Sequence, residues 1–129
     1  MMRRVAWFAS LFVVLLLLAN SLPTLAAEMG DAKKGKTPYQ TFCAVCHGPT
    51  GKGDGPSAVA LNPKPANHAD GKLMNKLTNE YLTKVIKNGG ASVGKSPLMP
   101  PWGGSLNDGQ IRDVLAFIRS LAVPPYTAK

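Results

Sequence analysis

Cys43 and Cys46 stand three positions apart with His47 directly behind them, in the run Cys43-Ala44-Val45-Cys46-His47. Two thiols at that spacing on a helical segment share one side of the chain, and the imidazole follows beneath them. Four chemistries use such a set: thiol–disulfide exchange, a structural disulfide, a zinc site, and covalent haem attachment through C-x-x-C-H. Exchange calls for a βαβ context, and no such pattern surrounds the motif. A disulfide bridging so short a spacing is strained. Zinc takes four ligands; Cys43, Cys46, His47 and His68 can be put forward, but adjacent Cys46 and His47 make awkward chelation partners. Haem attachment needs only what is present. The two thiols would form thioethers with the two vinyl groups of one haem, and His47 would be the proximal iron ligand.

A sixth iron ligand would come from Met29, Met74, Met99 or His68. Met99 lies in Ser96-Pro97-Leu98-Met99-Pro100-Pro101-Trp102, where flanking prolines stiffen the loop and hold a thioether out from it. Met99 is therefore the expected ligand, with simple core packing as the alternative. His68, in Pro65-Ala66-Asn67-His68-Ala69, reads as an exposed loop residue, and Met74 is a weaker candidate still.

The elements that must position these groups are short. A first helix is expected from Ala32 to Ala44 with Asp31 as its N-cap. Pro38 would either delay its start to Thr37 or kink it. A second helix is expected from Asn79 to Lys87, capped by Thr78 and ended by Asn88-Gly89-Gly90. A third follows Asn107, with Gln110 completing a capping box. Ile111, Val114, Leu115, Ile118 and Leu121 form its apolar stripe, and Pro124-Pro125 stops it. A short fourth helix is a weaker expectation near Asp70 to Lys76. Gly48–Ala69 and Gly89–Leu106 are long, Gly- and Pro-rich connections. Both carry apolar residues (Val59, Leu61, Leu98, Met99, Trp102) that suit wrapping around something large and apolar. No alternating strand pattern occurs, so the expected class is all-α. Gly51-x-Gly53-x-Gly55 is no phosphate loop, since no strand precedes it and no helix with Lys-Ser/Thr follows. Asp54 alone cannot build a calcium site.

The chain has 129 residues, enough for one domain, with 13 glycines, 11 prolines, two cysteines and two histidines. Seven scattered carboxylates make a multi-residue hydrolytic site unpromising. Residues 1–26 carry the three parts of a secretory signal peptide: Arg3 and Arg4, the uncharged stretch Val5–Ala19, and small residues ending at Ala26. Cleavage after Ala27 is the close alternative. A retained anchor is the competing reading, although the apolar stretch falls short of the ~20 residues that span a bilayer. The remaining domain, 27–129, would be exported to the periplasm or beyond. Removal of the leader takes two arginines and no acid from the formal +8, leaving +6.

With these residues in place, the chain from Asp31 to Leu121 resembles the class I c-type cytochromes, the small single-haem bacterial group. The resemblance rests on CAVCH, Gly35-x-x-x-Tyr39, GPTGKGDGPSA, PLMPPW and the closing DVLAFIRSL. It implies a small cytochrome c fold with one haem c bound covalently through Cys43 and Cys46. It further implies that Gly35 and Tyr39 pack against Phe117, and that the Pro56 carbonyl accepts a bond from the His47 imidazole. Trp102 would donate its indole N–H to a haem propionate or pack in the core. Filled axial positions imply an electron carrier rather than an enzyme, with a subunit bound in an exported dehydrogenase or oxidase as the alternative. A five-coordinate site for small ligands is a third reading. Eleven lysines favour redox partners with acidic docking surfaces, at most weak membrane-surface contact, and no nucleic acid.

Overall fold

Asp31 opens the first helix by accepting from the backbone N–H groups of Lys33 (2.8 Å) and Lys34 (3.4 Å), satisfying two of the donors a helix leaves unpaired at its start. The protein is described by a computed structural model over residues 29–127; the expected leader and both its cleavage points lie outside the described residues. Five helices follow in order: α1 (Ala32–Phe42), α2 (Ala44–His47), α3 (Gly71–Met74), α4 (Asn79–Asn88) and α5 (Asp108–Leu121). Short 3-10 turns at Pro56–Ala60 and Gly90–Val93 sit inside the two long connections. Among the described residues there is no strand, only an isolated parallel bridge between Asp70 and Val123. None of the helices there is long and apolar enough to cross a membrane. The all-α expectation holds, with α2 as a four-residue continuation beyond Cys43.

Helix α1 starts at Ala32 and runs through Pro38 to Phe42, so the delayed start at Thr37 is not what forms. Proline in a helix interior costs ~3 kcal/mol, and packing against α5 outweighs it. Gly35 sits directly on α5: a Cβ there would collide with the Asp113 carbonyl. The Asp113 carboxylate accepts from the Asp31 N–H at 2.7 Å. One turn further, the rings of Tyr39 and Phe117 meet at 5.0 Å and 56°, as the family resemblance implied.

The capping box of α5 is complete, with Asn107 accepting from the Gln110 N–H at 2.9 Å and Gln110 accepting from the Asn107 N–H at 3.0 Å. Its stripe of Ile111, Val114, Leu115 and Ile118 is buried against Tyr39, Met74, Leu82, Ile86 and Leu106. Each large apolar side chain so covered contributes roughly 1.5–3 kcal/mol. Helix α4 begins at Thr78, whose hydroxyl accepts from the Tyr81 N–H at 3.1 Å.

Arg119 is buried at the foot of α5. It donates to the Met74 carbonyl (2.7 Å), the Leu77 carbonyl (2.6 Å) and the Asn79 amide oxygen (3.0 Å), while Tyr126 lies 3.9 Å beneath its guanidinium. One side chain thereby joins the end of α3 to the start of α4. The tail closes over the same place: the Gly71 N–H donates to Val123 at 3.0 Å, and the Asn75 amide donates to the carbonyls of Pro124 and Pro125.

Candidate functional site

The five-residue motif occupies the joint between α1 and α2. Cys43 ends α1 by donating its N–H to Tyr39 at 2.9 Å, and its own carbonyl accepts from the His47 N–H at 2.9 Å. Both cysteines are free, Cys43 buried and Cys46 half-buried. The following loop folds back on the motif, with Gly53 N–H donating to the His47 carbonyl (2.8 Å) and Gly55 N–H to that of Cys46 (3.1 Å). A Cβ on Gly55 would strike the carbonyls of Ala44 and Val45. The glycine run is thus a tight coil laid against α2.

Burial pushes the Cys43 thiol up to about 12, with neighbouring Cys46 adding to the effect. A dithiol built for exchange needs the opposite shift. Among the described residues, moreover, no group of three or more His, Cys, Asp or Glu converges as a metal site would require. Both observations disfavour the thiol-exchange and zinc readings of the motif.

His47 is buried, and its Nδ1 lies 3.0 Å from the Ala66 carbonyl. A carbonyl can only accept, so Nδ1 carries the proton and Nε2 keeps the lone pair. Burial lowers the basicity of the ring, and the Ala66 bond partly offsets this. The acceptor corrects the expectation for Pro56. That residue opens a 3-10 turn, where its fixed backbone angle is suited to the first position. The carbonyl arrives instead on the returning limb of the loop, at Lys64-Pro65-Ala66. The second proline, Pro65, is the signal in the sequence that marks this stiff return.

His68 is a second correction. It is 8% exposed, not a surface loop residue. Its ring lies on that of His47, with centroids 4.2 Å apart and planes at 16°. Its Nδ1 is 3.3 Å from the Tyr39 hydroxyl, which itself donates to the Gly48 carbonyl at 3.1 Å. With that hydroxyl proton committed, the His68 Nδ1–H is the donor to tyrosine oxygen. Burial, reinforced by His47, pushes His68 down to about 3, so it stays neutral.

The second loop carries Met99, half-buried. Its carbonyl accepts from Gly90 N–H at 2.9 Å, and the N–H groups of Trp102 and Gly103 donate to the last carbonyls of α4 at Ile86 and Lys87, each at 2.9 Å. The Pro-flanked segment is therefore tied down at Met99 and at its C-terminal end. Trp102 packs on Phe42 at 5.2 Å and 47°. Met74 is 1% exposed and belongs to the core.

A family model described as Cytochrome c matches residues 32–122. The chain belongs to the cytochrome c family. It is 36% identical over 107 residues to the "Cbb3-type cytochrome c oxidase subunit CcoP" of Azospirillum sp. (strain B510), a match covering 78% of this chain and 32% of that protein. The same subunit of Azospirillum brasilense is 30% identical over 101 residues, with the same coverage. Among solved structures, a chain of the reducing HAO-like protein complex of Kuenenia stuttgartiensis superposes with a TM-score of 0.60 at 26% identity, over 78% of this chain and 49% of that one. This cytochrome spans about a third of the length of the curated relatives it matches.

The residues fit the haem c that the family implies. Two free thiols and an imidazole with its Nε2 lone pair available supply the donor set. The loop residues expected to wrap an apolar body find little protein cover: Val59 is 81% and Leu98 58% exposed, and Leu61, Met99 and Trp102 are half-buried.

Proposed function

We propose that this cytochrome is an exported carrier of single electrons. One haem c would be held through thioethers at Cys43 and Cys46, with His47 Nε2 and Met99 sulfur as its axial ligands. The observation that carries the reading is the His47–Ala66 bond at 3.0 Å, which fixes the tautomer a metal-ligating imidazole needs. When bound, haem c supplies a one-electron couple whose potential follows axial ligation, hydrogen bonding and burial. The chain would hold the His47 and Met99 donors in place for the bound group. The bonds that tie down Met99 and the C-terminal end of its loop serve that end, and Trp102, packed on Phe42, stiffens the segment beside it. Cleavage of the leader after Ala26 would release residues 27–129 into the periplasm. There the lysines would steer the protein toward acidic surfaces on its redox partners.

A second reading is favoured by the relatives. Two are named as subunits of a cbb3-type oxidase, and the solved neighbour is a chain of a complex. This cytochrome would then pass electrons as a bound subunit. Stable co-purification with a partner enzyme through salt washes supports that reading, and a monomer that exchanges electrons freely in solution supports the carrier.

The decisive experiment is visible and near-infrared absorption of the purified protein, oxidised and reduced, with and without CO, for the natural chain and Met99→Ala. A low-spin spectrum with a sulfur-to-iron band, lost in the variant, and indifference to CO in the natural chain are expected. A high-spin, CO-reactive natural chain unaffected by the substitution would overturn the reading and return the site to ligand chemistry.

A further inference from the structure

The imidazole of His47 has one hydrogen bond, and one bond does not fix a ring. Rotation about its outer side-chain torsion is broad and roughly two-fold, so the Ala66 carbonyl alone leaves the plane free to rock about the Nδ1–H···O axis. Something must bear on the face of the ring. Among the described residues, the aromatic ring that bears on His47 is that of His68, with centroids 4.2 Å apart and an interplanar angle of 16°.

That second ring is itself firmly held. The His68 N–H donates to the Gly51 carbonyl at 2.6 Å, and Nδ1 meets the Tyr39 hydroxyl at 3.3 Å. Tyr39 is fully buried, bonded to the Gly48 carbonyl and packed on Phe117. A ligand bond from Nε2 would lie in the plane of the His47 ring, so a neighbour stacked on its face does not compete with it.

We propose that His68 is a positioning residue for His47: its flat ring sets the plane of the axial imidazole and keeps water from the His47 Nδ1–H···O=C Ala66 bond. The proposal rests on the reading of His47 as an iron ligand. It assigns a task to a residue that spacing alone marks as loop surface. What matters in it is planarity.

The test compares the haem-loaded protein with His68→Phe, which keeps a flat ring, and His68→Leu, which keeps bulk without one. Two signatures are read: exchange of the His47 Nδ1 proton with solvent, by NMR of the reduced protein, and the g-value spread in electron paramagnetic resonance of the oxidised protein, which reports ligand-plane orientation. His68→Phe is expected to match the natural chain in both. His68→Leu is expected to exchange the Nδ1 proton about tenfold faster, as loss of local protection allows, and to shift the g-values. A merely structural role would lower the stability of both variants and move neither signature. Natural-like signatures in His68→Leu would overturn the proposal, and so would equal changes in Leu and Phe variants, which would point to the Tyr39 bond instead. If His68→Leu does not fold, His68→Phe is set against Tyr39→Phe; a changed signature in the former alone overturns the proposal. A natural chain without a low-spin, histidine-ligated spectrum removes the ligation reading and the proposal together. A natural chain with that spectrum and an unresponsive Leu variant removes only the proposal.

Discussion

Tyr39 joins the fold to the site through its hydroxyl, which donates to Gly48 and receives His68. Burial, with Cys43 and Asp54 nearby, raises its ionisation above the usual tyrosine range. The folded chain thus holds this proton more tightly than the unfolded chain, whose tyrosine titrates near 10. The stability it contributes is complete below about pH 10 and is lost as pH rises beyond, by up to ~1.4 kcal/mol per pH unit. Tyr39→Phe is expected to cost about 1 kcal/mol at pH 7 yet to show a shallower decline between about pH 10 and 12 in guanidinium unfolding of the haem-loaded protein. At this scale the sequence is legible where chemistry is carried by residue type at short spacing, as with Cys43, Cys46 and His47. It is opaque where a partner returns through an irregular loop. Ala66 comes back to His47 from 19 positions away, and His68 reaches Tyr39 from 29; no periodicity announces either. A histidine between Asn67 and Ala69 looks exposed because the groups that bury it are remote in the chain.

Helices α4 and α5 follow their caps and stripes closely, since both signals are local and physically strong. Helix α1 shows the limit of local reasoning. Pro38 argues for a break, and the contact between Gly35 and Asp113 prevails because packing is not encoded within the segment. Gly35→Ala would drive a methyl into the Asp113 backbone and is expected to cost at least the ~1–3 kcal/mol typical of overpacking, measured as a lower denaturant midpoint with unchanged slope. Arg119 was invisible for the same reason: on a helix wheel it is one more surface cation. Arg119→Met would leave the Leu77 carbonyl and the Asn79 amide oxygen without the Arg119 donor, while the Met74 carbonyl keeps its bond from the Leu77 N–H. A loss of about 1–3 kcal/mol is expected, the cost of leaving a buried polar group unpaired. Hydrogen exchange should quicken first around α3 and the start of α4, where those bonds are made.

Over the whole molecule, Lys33, Lys34, Lys36, Lys52, Lys72, Lys76, Lys84 and Lys95 are exposed, while Lys87 is engaged by Asp108 at 2.6 Å. Electron transfer to an acidic partner is expected to slow by roughly tenfold or more from low to physiological ionic strength, the range over which steering is screened. Stopped-flow rates across a salt series measure this, and a flat series would remove the acidic-partner reading. The bond between Asp31 and Asp113 spans 82 positions, so it ties the start of α1 to the last helix. In the docked state Cys43 is 6% exposed and reluctant to ionise, and a thiol reacts as its thiolate. If haem c is attached as proposed, the sulfur–carbon bond at Cys43 would form while the chain is still open, before the fold closes over that thiol.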